Sequence, residues 1–231
     1  MTSSNPLPVA LITGASRGIG RAIADELAPT HHLLLGGRDR TALDALAASY
    51  PSAKPFAVDV REVTEVDVAG IDRLDVLVHS AGVLQMGAVA DLDDETWRTS
   101  FDINVFAVAK LTRLLLPALR EARGQVIAIN SGSGYSSGAG SAVYSGTKFA
   151  LRALTDALRE EERPNGVRVS SIHPGRVATD MQAELHDFEG KEYSPGAWIQ
   201  PAQVAKAVRL AVDASRDSAV ESLNIRPSGM A

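Results

Sequence analysis

Apolar residues along this chain fall into short, almost unbroken runs, separated by longer stretches in which apolar and charged positions alternate at helical spacing. Residues 9–13, 32–35, 54–58, 74–79, 125–130, 168–173 and 222–225 read as strands. Residues 19–28, 40–49, 95–122, 144–162 and 202–213 read as helices. Strands that are apolar nearly throughout, alternating with helices, predict a parallel sheet buried on both faces. The expected fold is α/β: a single doubly wound domain over residues 1–231, with about seven strands and helices on both faces. Pro117 lies inside a long helical pattern and predicts a kink or an early end there. Residues 181–200 break the alternation. Their charges, with Gly190, Pro195, Gly196 and Trp198, mark an insertion after the sixth strand.

Composition narrows the possible chemistry. With 231 residues the chain can build one substantial core but is short for two. A formal charge of -5 speaks against nucleic acid or an anionic membrane surface as partner. Cysteine is absent, which excludes disulfides, cysteine nucleophiles and thiolate metal sites. No apolar run approaches the roughly 20 residues of a membrane helix, and residues 1–6 lack the pattern of a secretion signal. A cytoplasmic protein is expected. The histidines His31, His32 and His186 lack paired ligand spacing, so no metal is expected.

Three motifs bear chemistry. Tyr144 and Lys148 stand four residues apart on a helical pattern, which stacks a phenol and an ammonium on one face. The cation is expected to pull the phenol's pKa down from about 10, so that it can exchange a proton with a carbonyl or alcohol oxygen. Ser131 lies upstream at the end of the fifth strand, with Ser133 as a nearby rival. Thr13-Gly14-Ala15-Ser16-Arg17-Gly18-Ile19-Gly20 follows the first strand and opens the first helix, where glycines permit a tight turn and free N–H groups face an anion. The second strand ends in Leu35-Gly36-Gly37-Arg38, with no acid to accept from a ribose hydroxyl. Arg38 can instead pair with a phosphate. Taken singly, each motif is common on ordinary surfaces.

In order and spacing the chain resembles the short-chain dehydrogenase/reductase family over nearly its whole length. The matching pieces are Thr13–Gly20, Asp59-Val60, Ala81-Gly82, Asn104, Ser131, Tyr144 with Lys148, and Pro174-Gly175-Arg176-Val177-Ala178-Thr179. The resemblance implies a Rossmann-type fold and an NADP(H)-dependent oxidoreductase acting on a small carbonyl or alcohol. Tyr144 would be general acid or base, and Lys148 would lower its pKa and bind the nicotinamide ribose. Ser131 would hold the substrate oxygen, and Asn104 a water linking the lysine to solvent.

For the cofactor the resemblance implies contacts from Gly14, Ser16, Arg17, Gly18, Ile19 and Gly20, and from Arg38, Asp59, Val60, Ala81 and Gly82. Further contacts would come from Tyr144, Lys148, Pro174, Gly175, Val177 and Thr179. Asp59 would accept from the adenine amino group, while Arg17 and Arg38 favour NADP(H) over NAD(H). The family usually shows Asn-Asn-Ala-Gly where this chain has His79-Ser80-Ala81-Gly82, so Ser80 is left to supply part of the asparagine's bracing. His79 and His173 read as structural histidines.

Residues 181–200 correspond to the family's substrate loop. Met181, Leu185, Phe188, Tyr193 and Trp198 would line it, and Glu184, Asp187, Glu189 and Glu192 would disfavour an anionic substrate. A homodimer or homotetramer is expected through helices 95–122 and 144–162, with Ala150, Leu154 and Leu158 facing either the sheet or a second subunit. The alternative to an enzyme is a non-catalytic NADP(H)-binding sensor on the same fold.

Overall fold

The computed structural model describes residues 6–228; residues 1–5, on which most of the N-terminal reading falls, and residues 229–231 lie outside the described residues. Seven strands form one sheet: β1 (Val9–Ile12), β2 (His32–Gly37), β3 (Ala53–Ala57), β4 (Val76–His79), β5 (Gln125–Ile129), β6 (Arg168–Pro174) and β7 (Ser222–Ile225). Their order is β3-β2-β1-β4-β5-β6-β7, and every pair is parallel. The expected doubly wound α/β fold is what the chain adopts.

Strand alternation sends neighbouring residues to opposite faces. Ala10 and Ile12 of β1, Leu33 and Leu35 of β2, and Val76 and Val78 of β4 join one buried cluster. Helices α1 (Gly18–Leu27) and α8 (Pro201–Asp213) close it with Ile23, Leu27, Val204 and Val208. Leu11, Leu77, Val126 and Val169 point the other way, under α5 (Ala107–Ala122) and α6 (Ala142–Glu162). Fully burying one such leucine is worth about 1.5–3 kcal/mol, so both layers are held firmly to the sheet. The remaining helices are α2 (Arg40–Ala48), the short α3 (Glu65–Val68), α4 (Asp94–Phe101) and α7 (Asp180–Glu189).

Two expectations change in detail. The single helix read over residues 95–122 is divided: a π-helical turn, Asp102–Phe106, separates α4 from α5. Pro117 does not end α5, which continues to Ala122; its ring lies on the exposed side, where water can take the carbonyl that loses its N–H partner. In α6, Leu158 is buried and Leu154 partly buried against the core, so this part of the stripe faces the sheet. No helix among the described residues is long and apolar enough to cross a membrane.

Candidate active site

The two halves of the sheet diverge at β1 and β4, and doubly wound folds bind ligands in the crevice this opens at the strands' C-terminal ends. Two adjoining cavities lie along that edge. One, of about 410 Å³, is lined by Gly14, Ser16, Arg17, Gly18 and Gly20 of the glycine loop, together with Arg38, Asp59, Val60 and Arg61. The other, of about 390 Å³, is lined by Ser131, Tyr144, Lys148, Pro174, Gly175 and Val177, among others. Ile19, Ala81, Gly82 and Thr179 border both. Every catalytic and cofactor-binding residue expected from the sequence therefore lines one cavity or the other, except Asn104.

The glycine loop is shaped by two contacts that leave no room for a side chain. Gly14 has φ +66° and its backbone sits against Ala81, where a Cβ would come within 3.0 Å. At Gly20 a Cβ would lie 2.2 Å from the Gly14 carbonyl oxygen. The first in-helix bond of α1 runs from the Arg21 N–H to the Arg17 carbonyl, 3.1 Å. The N–H groups of Gly18, Ile19 and Gly20 precede it and face the cavity end, with the positive pole of the helix.

At the end of β2, Arg38 is exposed, and Asp39 caps α2 by accepting from the Ala42 N–H at 3.0 Å. The acid next to Arg38 is thereby engaged in local structure. Arg17 ion-pairs with Asp180 at 2.9 Å, both side chains being largely exposed. Asp59 is held by Arg61 through Nε at 3.1 Å and Nη2 at 2.7 Å, and this pairing keeps its carboxyl below the usual carboxylate range. Arg61 was not selected from the sequence; an arginine two residues beyond a strand-end aspartate was its only signal.

In the second cavity, Ser131 lies two residues past the end of β5 and its Oγ accepts the Ser133 N–H at 3.1 Å. Its hydroxyl proton is left to donate. Ser133 sits in the turn beyond and also lines the cavity; the Ser131 hydroxyl is the one that bears on the Tyr144 phenol, acting to lower its pKa. Lys148 is buried and its Nζ donates to the Ile129 carbonyl at 3.1 Å, 5.7 Å from the Tyr144 ring centre.

The expected fall in the tyrosine pKa is not found. Loss of hydration around the phenol pushes it up, and the Ser131 hydroxyl offsets only part of that rise. Lys148 is desolvated in the same pocket, and burial brings its own pKa down to about 8.

Asn104 is 2% exposed and sits in the π-helical turn behind the site. Its Nδ2 donates to the Val83 carbonyl at 2.9 Å and the Thr147 Oγ1 at 3.1 Å, while its Oδ1 accepts the Val83 N–H at 2.9 Å. Both side-chain donors are engaged, which leaves only acceptors to hold a water. The bracing expected of Ser80 falls to Thr13, whose Oγ1 accepts the N–H groups of Ser80 and Ala81 at 3.0 and 3.1 Å. His79 is buried against the Thr112 hydroxyl at 2.8 Å, and desolvation lowers its pKa to about 3.

The segment after β6 is clipped at its base by hydrogen bonds between Ile199 and the backbone of Arg176 and Ala178, at 3.1 and 2.8 Å. Of the apolar residues expected to line it, only Met181 and Leu185 reach the cavity. Phe188 is exposed, while Tyr193 and Trp198 pack on the buried His186 ring. Glu189 does line the cavity, but the Arg176 guanidinium clasps its carboxylate, and Lys191 adds a third bond at 3.0 Å. Its negative charge is therefore largely balanced.

Residues 8–190 match the short chain dehydrogenase family. An uncharacterized short-chain type dehydrogenase/reductase of Sinorhizobium fredii is 37% identical over 99% of this chain and 95% of its own. Among solved structures, an alcohol dehydrogenase from the archaeon Thermococcus sibiricus, complexed with 5-hydroxy-NADP, superimposes with a TM-score of 0.87 at 27% identity, over 97% of this chain and 98% of that one. A metagenomic short-chain oxidoreductase in complex with NADP gives 0.79 at 30%, over 99% and 100%. The fold and its crevice define a Rossmann-type nucleotide-binding oxidoreductase. Within that class, this chain belongs to the short-chain dehydrogenase/reductase family.

Proposed function

We propose that the protein is an NADP(H)-dependent oxidoreductase that interconverts a small, neutral carbonyl compound and its alcohol. One observation bears most of the weight. Ser131, Tyr144 and Lys148 converge on a cavity that is continuous, through Ile19, Ala81, Gly82 and Thr179, with the cavity of the glycine loop. The cofactor fits the residues present: the Gly14–Gly20 contact makes a cradle that any Cβ would fill, and free N–H groups face it. NADPH, when bound, supplies the hydride.

The chain's own groups do the rest. Ser131 donates its free hydroxyl proton to the substrate oxygen and orients it. Tyr144, kept protonated by burial, gives its proton to that oxygen in the reductive direction and recovers it in the reverse. Lys148 fixes the ribose and supplies positive charge beside the phenol. Arg38 pairs with the phosphate that distinguishes NADP from NAD, joined by Arg17 once it leaves Asp180. Met181 and Leu185 give the substrate an apolar wall, and the balanced Glu189 leaves neither strong attraction nor repulsion for charge. Assembly as a homodimer or homotetramer would use α5 and α6, near which Phe106 and Phe149 are exposed.

The test is turnover of a carbonyl panel with NADPH or NADH, followed by nicotinamide absorbance. Tyr144→Phe is expected to lower kcat by about 10²-fold or more with NADPH affinity nearly intact. Wild-type turnover in that variant refutes the acid–base role. Tight NADPH binding without turnover on any carbonyl points to the sensor instead.

A further inference from the structure

The parallel ladder between β5 and β6 stops at Asn130, one residue short of the one that presents the serine hydroxyl. The Asn130 N–H donates to the Ile172 carbonyl at 2.8 Å, and the next donor in a parallel pattern would be the N–H of residue 174. That residue is Pro174, which has none. The main chain of Ser131 is nevertheless held from both sides by buried side chains. Its N–H donates to the Asn130 Oδ1 at 2.9 Å, and its carbonyl lies 3.1 Å from the His173 Nδ1. A carbonyl only accepts, so the imidazole carries its proton on Nδ1.

The ring is itself immobilised. His173 is 1% exposed, stacks at a tilt on Tyr135 with centres 4.4 Å apart, and its own carbonyl accepts from the Arg226 Nη1 at 2.6 Å. The Tyr135 hydroxyl is tied to Ser222 Oγ on β7 at 3.1 Å. Burial also lowers the His173 pKa, which keeps the ring neutral.

We infer that His173 is a positioning residue for Ser131: its Nδ1–H holds the Ser131 carbonyl, one residue beyond the Asn130 carbonyl where the ladder ends for want of a Pro174 N–H, and so sets the serine hydroxyl against Tyr144. The step rests on the reading of Ser131 as the group that binds the substrate oxygen. Tyr144 is on α6 and Ser131 two residues past the end of β5, so their separation depends on how rigidly that strand end is held. A loose carbonyl would let the hydroxyl swing without altering the cofactor cradle.

The experiment compares His173→Leu, which removes the donor, with His173→Asn, whose amide nitrogen can take the place of Nδ1, and repeats His173→Leu in a Ser131→Ala background. His173→Leu should lower kcat about tenfold with the NADPH Kd unchanged, as expected for loss of one hydrogen bond. His173→Asn should restore most of it, and in the Ser131→Ala background the leucine should add no further loss. Wild-type kcat in His173→Leu, equal losses in the leucine and asparagine variants, or additive losses with Ser131→Ala would each overturn the role. The ¹⁵N shifts of the wild-type imidazole give a check that needs no variant to fold: protonation at Nε2 alone would also overturn it. Full turnover in Ser131→Ala alone would instead sink the reading of Ser131.

Discussion

Tyr144 feels two opposed influences, and burial, which raises its pKa, wins over the Ser131 hydroxyl, which lowers it. The spacing of Tyr144 and Lys148 was plain in the sequence, but spacing does not report hydration, and hydration decides the sign. Arg38 shows the reverse case, in which a simple reading survives because the side chain stays at the surface. Arg38→Asp should weaken NADPH binding at least tenfold, as a charged hydrogen bond is worth about 1.5–3 kcal/mol, and leave NADH much less affected. Titration of both cofactors checks this, and an unchanged preference would remove Arg38 from the phosphate site. Residues that line a cavity directly, such as Ser131 and Gly14, were legible because each follows a strand end in sequence. The roles of Thr13 and His173 were not, since their partners lie far off in sequence, and Arg61 gave no signal beyond its place two residues after Asp59.

At the level of elements, the strands were read almost to the residue because a two-sided sheet demands unbroken apolar runs. The helix read over 95–122 was not, because a π-helical turn leaves the apolar periodicity nearly intact while shifting its phase. Residues 181–200 were legible as an insertion, but which of their aromatics face inward depends on the Arg176–Glu189 clasp and the His186 cluster. A link between elements follows from the Arg17–Asp180 pair, which joins the glycine loop to the start of α7. If Arg17 exchanges Asp180 for a phosphate, the carboxylate competes with the cofactor. The competition is modest, since exposed pairs contribute about 0–1 kcal/mol. Asp180→Asn should therefore tighten NADPH binding by up to about fivefold and leave NADH unchanged, measured by fluorescence titration at low salt. Weaker NADPH binding would mean that Asp180 holds Arg17 ready rather than away.

Over the whole molecule, the sequence gives a formal charge of -5 and five histidines but not where those histidines are buried. His31, His79 and His173 are all buried, and desolvation lowers the pKa of each. For a group whose folded pKa lies below its unfolded value, the unfolded chain binds more protons between the two, so stability rises with pH across that window and falls on acidification. For His79 the window runs from about 6.5 down to about 3. Carboxylates lowered by pairing, such as Glu162 with Arg120, add their own loss only below the unfolded carboxylate pKa of about 4. The interval between pH 6.5 and 4.5 is thus governed by histidine. At pH 5, His79 alone should cost about 2 kcal/mol relative to neutral pH. His79→Asn, the residue more usual in the family, should lose correspondingly less stability between pH 7.5 and 5 in urea unfolding, whatever its stability at neutral pH. An identical pH slope in wild type and variant would place the acid-sensitive proton at another buried group, with His31 and His173 the next to replace.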